Sequence, residues 1–200
     1  MAAAIDFYFD FSSPYGYLAS QKIEALAAKH GRAVNWHPIL LGAIFKITGM
    51  KPLPELPMKG DYAKRDFARS AGFLGIPFKM PSVFPISSVA ASRAVYWAQG
   101  KDAKKAVELV KALYRAFFVD DLNISEPETV VKVAAGLGFK ADEVRAALND
   151  QAIKDKTKQE VDAAIAKGVF GSPYIVIDGE PFWGVDRFDQ MEKWLQTGGW

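Results

Sequence analysis

Apolar and polar side chains alternate at the start of the chain. Ile5, Phe7, Phe9 and Phe11 fall on one face, and Asp6, Tyr8 and Asp10 on the other. A period of two is that of a β-strand. Ser12-Ser13-Pro14 follows. Serine ahead of proline is a helix-start signal, because the N–H that proline lacks would have no partner in the first turn anyway. Leu18, Ala19, Ile23, Leu26 and Ala27 then recur on one helical face, and Gly31 sits where a C-cap belongs. Ala33 to Leu41 is expected as a second strand, with Val34 and Trp36 on one face. Strand, helix, strand predicts a βαβ unit with a parallel pair.

The pattern changes after Leu41. Three prolines, at 52, 54 and 57, mark a loop, and residues 59–168 then carry helical spacing almost throughout. One helix is expected from Lys59 to Ala71. A link from Pro77 to Pro85 leads to a second, with Ser87 and Ser88 near its start. A third follows Asp102, with Val107, Val110, Tyr114 and Phe117 on one stripe. Ser125-Glu126-Pro127-Glu128 has the form of a capping box opening a fourth. A short fifth begins near Asp142, and a sixth runs from Ile153 to Lys167, ending at Gly168.

β-Pattern returns at the end. Tyr174-Ile175-Val176-Ile177 is a strand, Asp178-Gly179 a hairpin turn, and Pro181-Phe182-Trp183 a second strand. Asp186, with Asp189 three residues on, is placed to cap a last helix through Met191, Trp194 and Leu195. The order βαβ, helices, ββα predicts an α/β fold. Its sheet domain is assembled from residues 1–50 and 169–200, and residues 51–168 form an all-helical insertion.

Composition narrows the chemistry. The 200 residues contain no cysteine, which excludes disulfides, thiolate metal sites and cysteine nucleophiles. The formal net charge is +2 and no basic block interleaves with aromatics, which argues against nucleic acid. No apolar run has the length of a membrane span, and the N-terminal residues lack the pattern of a signal peptide. A cytoplasmic protein is the expectation. His30 precedes Gly31 at a helix end, where a cation suits the dipole. His37 lies beside Pro38 on the second strand, and two histidines so placed do not predict a metal.

Two motifs carry candidate chemistry. The strand–Ser12-Ser13-Pro14-Tyr15-Gly16–helix junction presents a helix N-terminus and a hydroxyl, which together can stabilise an anion such as a thiolate. An N-cap role for Ser12 or Ser13 accounts for the same residues. Gly171-Ser172-Pro173 opens the penultimate strand. A cis Ser172–Pro173 bond would turn the Ser172 backbone outward to pair with an extended peptide, whereas a trans bond would simply start the strand.

Taken together, the two motifs and the element order resemble the thioredoxin superfamily over the whole chain. The helical insertion resembles that of bacterial disulfide-forming oxidoreductases and kappa-class glutathione transferases. Where the redox members read Cys-Pro-x-Cys, this chain has Ser13-Pro14-Tyr15-Gly16, so dithiol exchange is excluded. The serine form resembles the family of kappa-class glutathione transferases and 2-hydroxychromene-2-carboxylate isomerases. The matching stretches are Asp10-Phe11-Ser12-Ser13-Pro14-Tyr15, Leu40-Leu41-Gly42-Ala43-Ile44-Phe45, Lys59-Gly60-Asp61-Tyr62, residues 168–173 and Gly184-Val185-Asp186-Arg187.

That resemblance implies glutathione as cofactor, with Ser13 as the catalytic residue hydrogen-bonding its sulfur. It implies Ser172, before the cis Pro173, pairing with the cysteinyl backbone. It implies Asp186, with Arg187 beside it, at the γ-glutamyl end, and Lys59 at the glycyl carboxylate. Met50 stands where the group often has asparagine. The implied reaction is isomerisation of an unsaturated aromatic 2-oxo acid by reversible thiolate addition, or, alternatively, conjugation of electrophiles. Tyr15, Phe45 and Trp183 are expected to face the aromatic substrate, and a homodimer is left open.

Overall fold

The computed structural model describes residues 3–200. Four strands, β1 (Ile5–Phe9), β2 (Val34–Pro38), β3 (Tyr174–Ile177) and β4 (Glu180–Trp183), form one sheet in the order β2-β1-β3-β4. β1 pairs parallel with β2, aligning Phe7 with Trp36, and antiparallel with β3, aligning Phe7 with Ile175. The two ends of the chain therefore meet at the centre of the sheet. β3 and β4 form a hairpin in which Asp178 and Gly179 both take positive φ, as a primed turn requires.

The alternation in β1 decides both faces. Ile5, Phe7 and Phe9 enter a core cluster shared with Leu109, Leu113 and Phe117. Tyr8 on the opposite face is also buried, under a smaller cluster with Ile39, Ile44 and Val169. The Tyr8 end of the face that reads as polar is thus covered, while Asp6 is half-buried and its register partner Asn35 exposed.

The helix expected after Ser13 is two: α1 (Pro14–Ser20) and α2 (Ile23–Lys29). Between them Gln21 and Lys22 bond back three residues, to Leu18 and Ala19, so the ladder tightens and restarts. The apolar stripe survives the break, with Leu18, Ala19, Ile23, Leu26 and Ala27 all buried.

The strand expected to Leu41 ends at Pro38, and Leu41–Thr48 is a helix, α3. Gly42 and the β-branched Ile44, Ile47 and Thr48 weaken its helical signal in the sequence. A tertiary bond supplies the start, since the Leu41 N–H is accepted by Asp10 Oδ2 at 2.6 Å.

The proline-rich loop holds a short 3₁₀ turn, Leu53–Glu55, and leads to α4 (Lys59–Leu74). Gly60 permits that entry, because a Cβ there would sit 2.2 Å from the Pro54 carbonyl oxygen. After a link containing a second cis bond, Phe84–Pro85, come α5 (Val89–Gln99) and α6 (Ala103–Phe118). Asp102 caps α6 through the Lys104 and Lys105 N–H groups.

Two expected caps do not form. At α7 (Pro127–Gly136), Ser125 Oγ bonds Asn123 Oδ1 at 2.7 Å instead of closing a capping box, and Glu128 pairs with Arg145. At α10 (Phe188–Thr197), Asp186 lies one turn too early, in the 3₁₀ turn Val185–Arg187, and pairs with Arg187 at 3.1 Å. In both cases a nearby side chain outcompetes the helix N–H groups. Between these lie α8 (Ala141–Asn149) and α9 (Gln151–Ala166), the latter capped by Asp150. Among the described residues no helix is long and apolar enough to cross a membrane, and no group of His, Asp or Glu is arranged to hold a metal ion.

Candidate functional site

The end of β1 and the entry to β3 form one hydrogen-bonded unit, and its chemistry follows from who donates to whom. Ser13 is the N-cap of α1, with extended backbone (φ −104°, ψ 112°) and Pro14 at the first helical position. Its Oγ accepts the Gly16 N–H at 3.0 Å and donates to the Ser172 carbonyl at 2.8 Å. Ser172 Oγ in turn accepts the Asp10 N–H at 2.9 Å. The Ser172–Pro173 peptide is cis. Residues 159 apart in sequence thus place a hydroxyl, a helix N-terminus and a backbone carbonyl side by side, and both serines are nearly buried.

Gly16 makes that approach possible. A Cβ on it would lie 2.6 Å from Ser172 Oγ and 2.8 Å from the Tyr114 hydroxyl oxygen. Tyr114, fully buried, donates to the Asp10 carbonyl at 3.0 Å, and the same carbonyl accepts the Ser13 N–H at 2.9 Å. Burial pushes the Tyr114 phenol well up, so it remains a protonated donor.

Asp10 belongs to a matched stretch and Gly16 to the Ser13-Pro14-Tyr15-Gly16 slot, but neither received a role from the sequence. Asp10 is buried, with Oδ1 on the Ser12 N–H at 2.7 Å. Burial pushes its carboxyl up, against the lowering effect of the Leu41 and Ser12 N–H groups and the Ser88 side chain. Asp-x-Ser is an Asx-turn pattern, and that signal could have drawn attention to Asp10.

The other expected residues surround this unit at different removes. The Val185–Arg187 turn packs against α1, the helix that Ser13 opens, and the Gly184 N–H before it is accepted by the Pro173 carbonyl at 3.2 Å. Asp186 and Arg187 are both substantially exposed. Lys59 is exposed at the start of α4, which also packs against α1. It follows Met58, whose positive φ (64°, with ψ −47°) closes a tight three-residue turn from the Lys59 N–H to the Pro57 carbonyl.

The expected aromatic wall is only partly open. The Tyr15 hydroxyl is taken by Asp66 and its ring packs on Phe67 at 5.0 Å, so it faces α4. Phe45 is half-buried on α3. Trp183 is 56% exposed and packs against Phe170. Met50 is exposed. The histidines are engaged elsewhere: His37 pairs with Asp6 at 3.1 Å and stacks on Tyr8, and His30 lies 3.3 Å from Glu192. A cavity of about 480 Å³ between β4 and α10 is lined by Trp183, Arg187, Trp194 and Trp200 among others.

Residues 4–196 match the model of the DSBA-like thioredoxin domain. The chain is 30% identical to 2-hydroxychromene-2-carboxylate isomerase of Sphingobium xenophagum, over 98% of this chain and 99% of that one. It is 28% identical to glutathione S-transferase kappa 1 of Caenorhabditis elegans, over 96% and 90%. A solved structure of 2-hydroxychromene-2-carboxylate isomerase superposes with a TM-score of 0.85 at 29% identity, covering 96% of this chain and 94% of that one. The chain belongs to the DSBA-like thioredoxin family and, within it, to the group of 2-hydroxychromene-2-carboxylate isomerases and kappa-class glutathione transferases.

Proposed function

We propose that the protein is a glutathione-dependent isomerase of an unsaturated aromatic 2-oxo acid, of the 2-hydroxychromene-2-carboxylate isomerase type. The observation that carries this reading is the Ser13–Ser172 contact: a capping hydroxyl at a helix N-terminus, 2.8 Å from the Ser172 backbone carbonyl. A tripeptide thiol presents the complementary groups. Ser13 would face its sulfur, Ser172 and Pro173 its cysteinyl backbone, Asp186 beside Arg187 its γ-glutamyl ammonium end, and Lys59 its glycyl carboxylate. When bound, glutathione would supply a thiolate that adds reversibly to a conjugated carbon of the substrate.

The chain's own part is to hold that thiolate. The Gly16 N–H fixes Ser13 Oγ, so the hydroxyl proton can swing from the Ser172 carbonyl toward a sulfur while the oxygen stays in place. The N-terminus of α1 adds its partial positive charge. The Asp10 carbonyl, held by Tyr114, keeps the Ser13 N–H and hence the turn in register.

The second reading, a kappa-class transferase, is favoured by the C. elegans relative, matched at nearly the same identity and coverage. Incubating the protein with glutathione and a geometric isomer of an unsaturated aromatic 2-oxo acid separates the two. Isomerisation shows as an absorbance change with glutathione fully recovered by mass spectrometry. Stoichiometric glutathione adducts with no isomerised acid would instead select the transferase.

Asp186→Ala is expected to weaken glutathione binding several-fold and to leave turnover at saturating glutathione nearly unchanged, since the carboxylate is remote from the sulfur. The effect is small because the side chain is 68% exposed, and an exposed ion pair contributes about 0.2–1 kcal/mol. Collapse of saturating turnover with unaltered affinity would place Asp186 at the reacting atoms instead.

A further inference from the structure

One buried carboxylate joins the Ser13 turn to α3. Asp10 is 2% exposed. Its Oδ1 accepts the Ser12 N–H and its Oδ2 the Leu41 N–H, at 2.7 and 2.6 Å. Leu41 is the first residue of α3, and α3 buries only Ile44, so the bond to Asp10 is a large part of what holds that helix to the body of the protein. Beyond α3 the chain runs through Gly49 and the proline-rich loop to the Met58 turn and Lys59. The backbone of Asp10 has a different task. Its N–H meets Ser172 Oγ, and its carbonyl receives the Ser13 N–H and the Tyr114 hydroxyl. The main chain of Asp10 alone meets Ser172, Ser13 and Tyr114, while its side chain spans from the Ser12 N–H to the first residue of α3.

We propose that Asp10 is a positioning residue that fixes α3 and the segment leading to Lys59 relative to the Ser13 turn, and thereby sets affinity for glutathione without setting the ionisation of its thiol. The affinity half of this rests on the glutathione reading above; the tethering of α3 does not.

Asp10→Asn keeps the shape but has one acceptor oxygen, so one of the two N–H groups faces an amide NH₂. Hydrogen–deuterium exchange of residues 41–48 is expected to accelerate by about tenfold or more, with β1 and β2 protected as in wild type. The dissociation constant for glutathione, measured by calorimetry, should rise about tenfold, the scale of one charge-assisted hydrogen bond. The ultraviolet thiolate band per bound glutathione should not change.

Leu41→Pro is the second variant. It deletes the N–H at a first helical position, where proline is tolerated, after Leu40, which is already extended at φ −118°, ψ 97°. It should reproduce the exchange and affinity effects, and it decides the matter if Asp10→Asn does not fold. Unchanged exchange in residues 41–48 in the folded variants overturns the proposal. So does faster exchange with unchanged affinity, or a thiolate band that weakens along with affinity. If the wild type binds no glutathione, the proposed function fails, and the exchange measurement still decides whether Asp10 tethers α3.

Discussion

Ser13→Ala is expected to slow turnover by about one to two orders of magnitude while leaving the fold in place. A hydrogen bond to an ionised group contributes about 1.5–3 kcal/mol, and every 1.36 kcal/mol is a factor of ten in rate. The loss has a direction in pH as well. On the proposed function the hydroxyl would favour the thiolate over the thiol, so removing it should raise the thiol pKa and move the rate profile to higher pH. The Gly16 N–H loses its acceptor, yet the α1 N-terminus remains, and some activity should persist.

Ser12→Ala is the companion variant. Ser12 Oγ accepts the Ile86 N–H at 3.1 Å and so anchors the end of the Pro77–Pro85 link, whereas Ser13 Oγ meets Ser172. Its replacement should cost stability with little change in the pH profile. A Ser12→Ala enzyme that is inactive beside a fully active Ser13→Ala would show that the wrong serine has been assigned.

Gly16→Ala should be the most damaging single-atom change at the site. The added methyl meets Ser172 Oγ at 2.6 Å and the Tyr114 hydroxyl oxygen at 2.8 Å. Ser172 Oγ can rotate only by leaving the Asp10 N–H, and Tyr114 is held in a fully buried ring cluster with Phe9, Phe11 and Phe118. Overpacking of this kind costs about 1–3 kcal/mol. For a chain of this size that lowers the melting temperature by about 2–4 °C per kcal/mol. Because the Ser172 edge is displaced from Ser13, glutathione affinity should fall with it.

The double variant Gly16→Ala/Tyr114→Phe removes one of the two colliding oxygens. It should recover part of the loss, giving a coupling energy that independent sites do not show. A Gly16→Ala protein that melts and binds glutathione like wild type would mean that the close approach of Ser172 to α1 is not maintained in solution.

How much of this was legible beforehand depends on the range of the interaction concerned. The strands β1 and β3, the Asp178-Gly179 turn, an N-cap at Ser12 or Ser13, the helix after Asp102 and the helical run through residues 59–168 were readable because each is decided within a few residues. Periodicity and capping are local physics, and here the tertiary contacts agree with them. The family was legible for a related reason: the quoted stretches lie at turns and helix starts, where few residue types satisfy the backbone.

Only the tertiary structure decided the rest. Helix α3 exists against weak local propensity because a carboxylate thirty-one positions away accepts its first N–H. The covered end of the sheet's second face depends on α3 and on residues 164–174 closing over Tyr8. The caps expected from Ser125 and Asp186 failed for local reasons instead: Asn123, two residues before Ser125, and Arg187, next to Asp186, bind those side chains. Asp10 and Gly16 were present in the motif but mute. The role of a buried carboxylate is set by the donors that converge on it, and the need for a glycine by the atoms that would meet its Cβ, and the deciding ones here, the Leu41 N–H, Ser172 Oγ and the Tyr114 hydroxyl, come from distant segments.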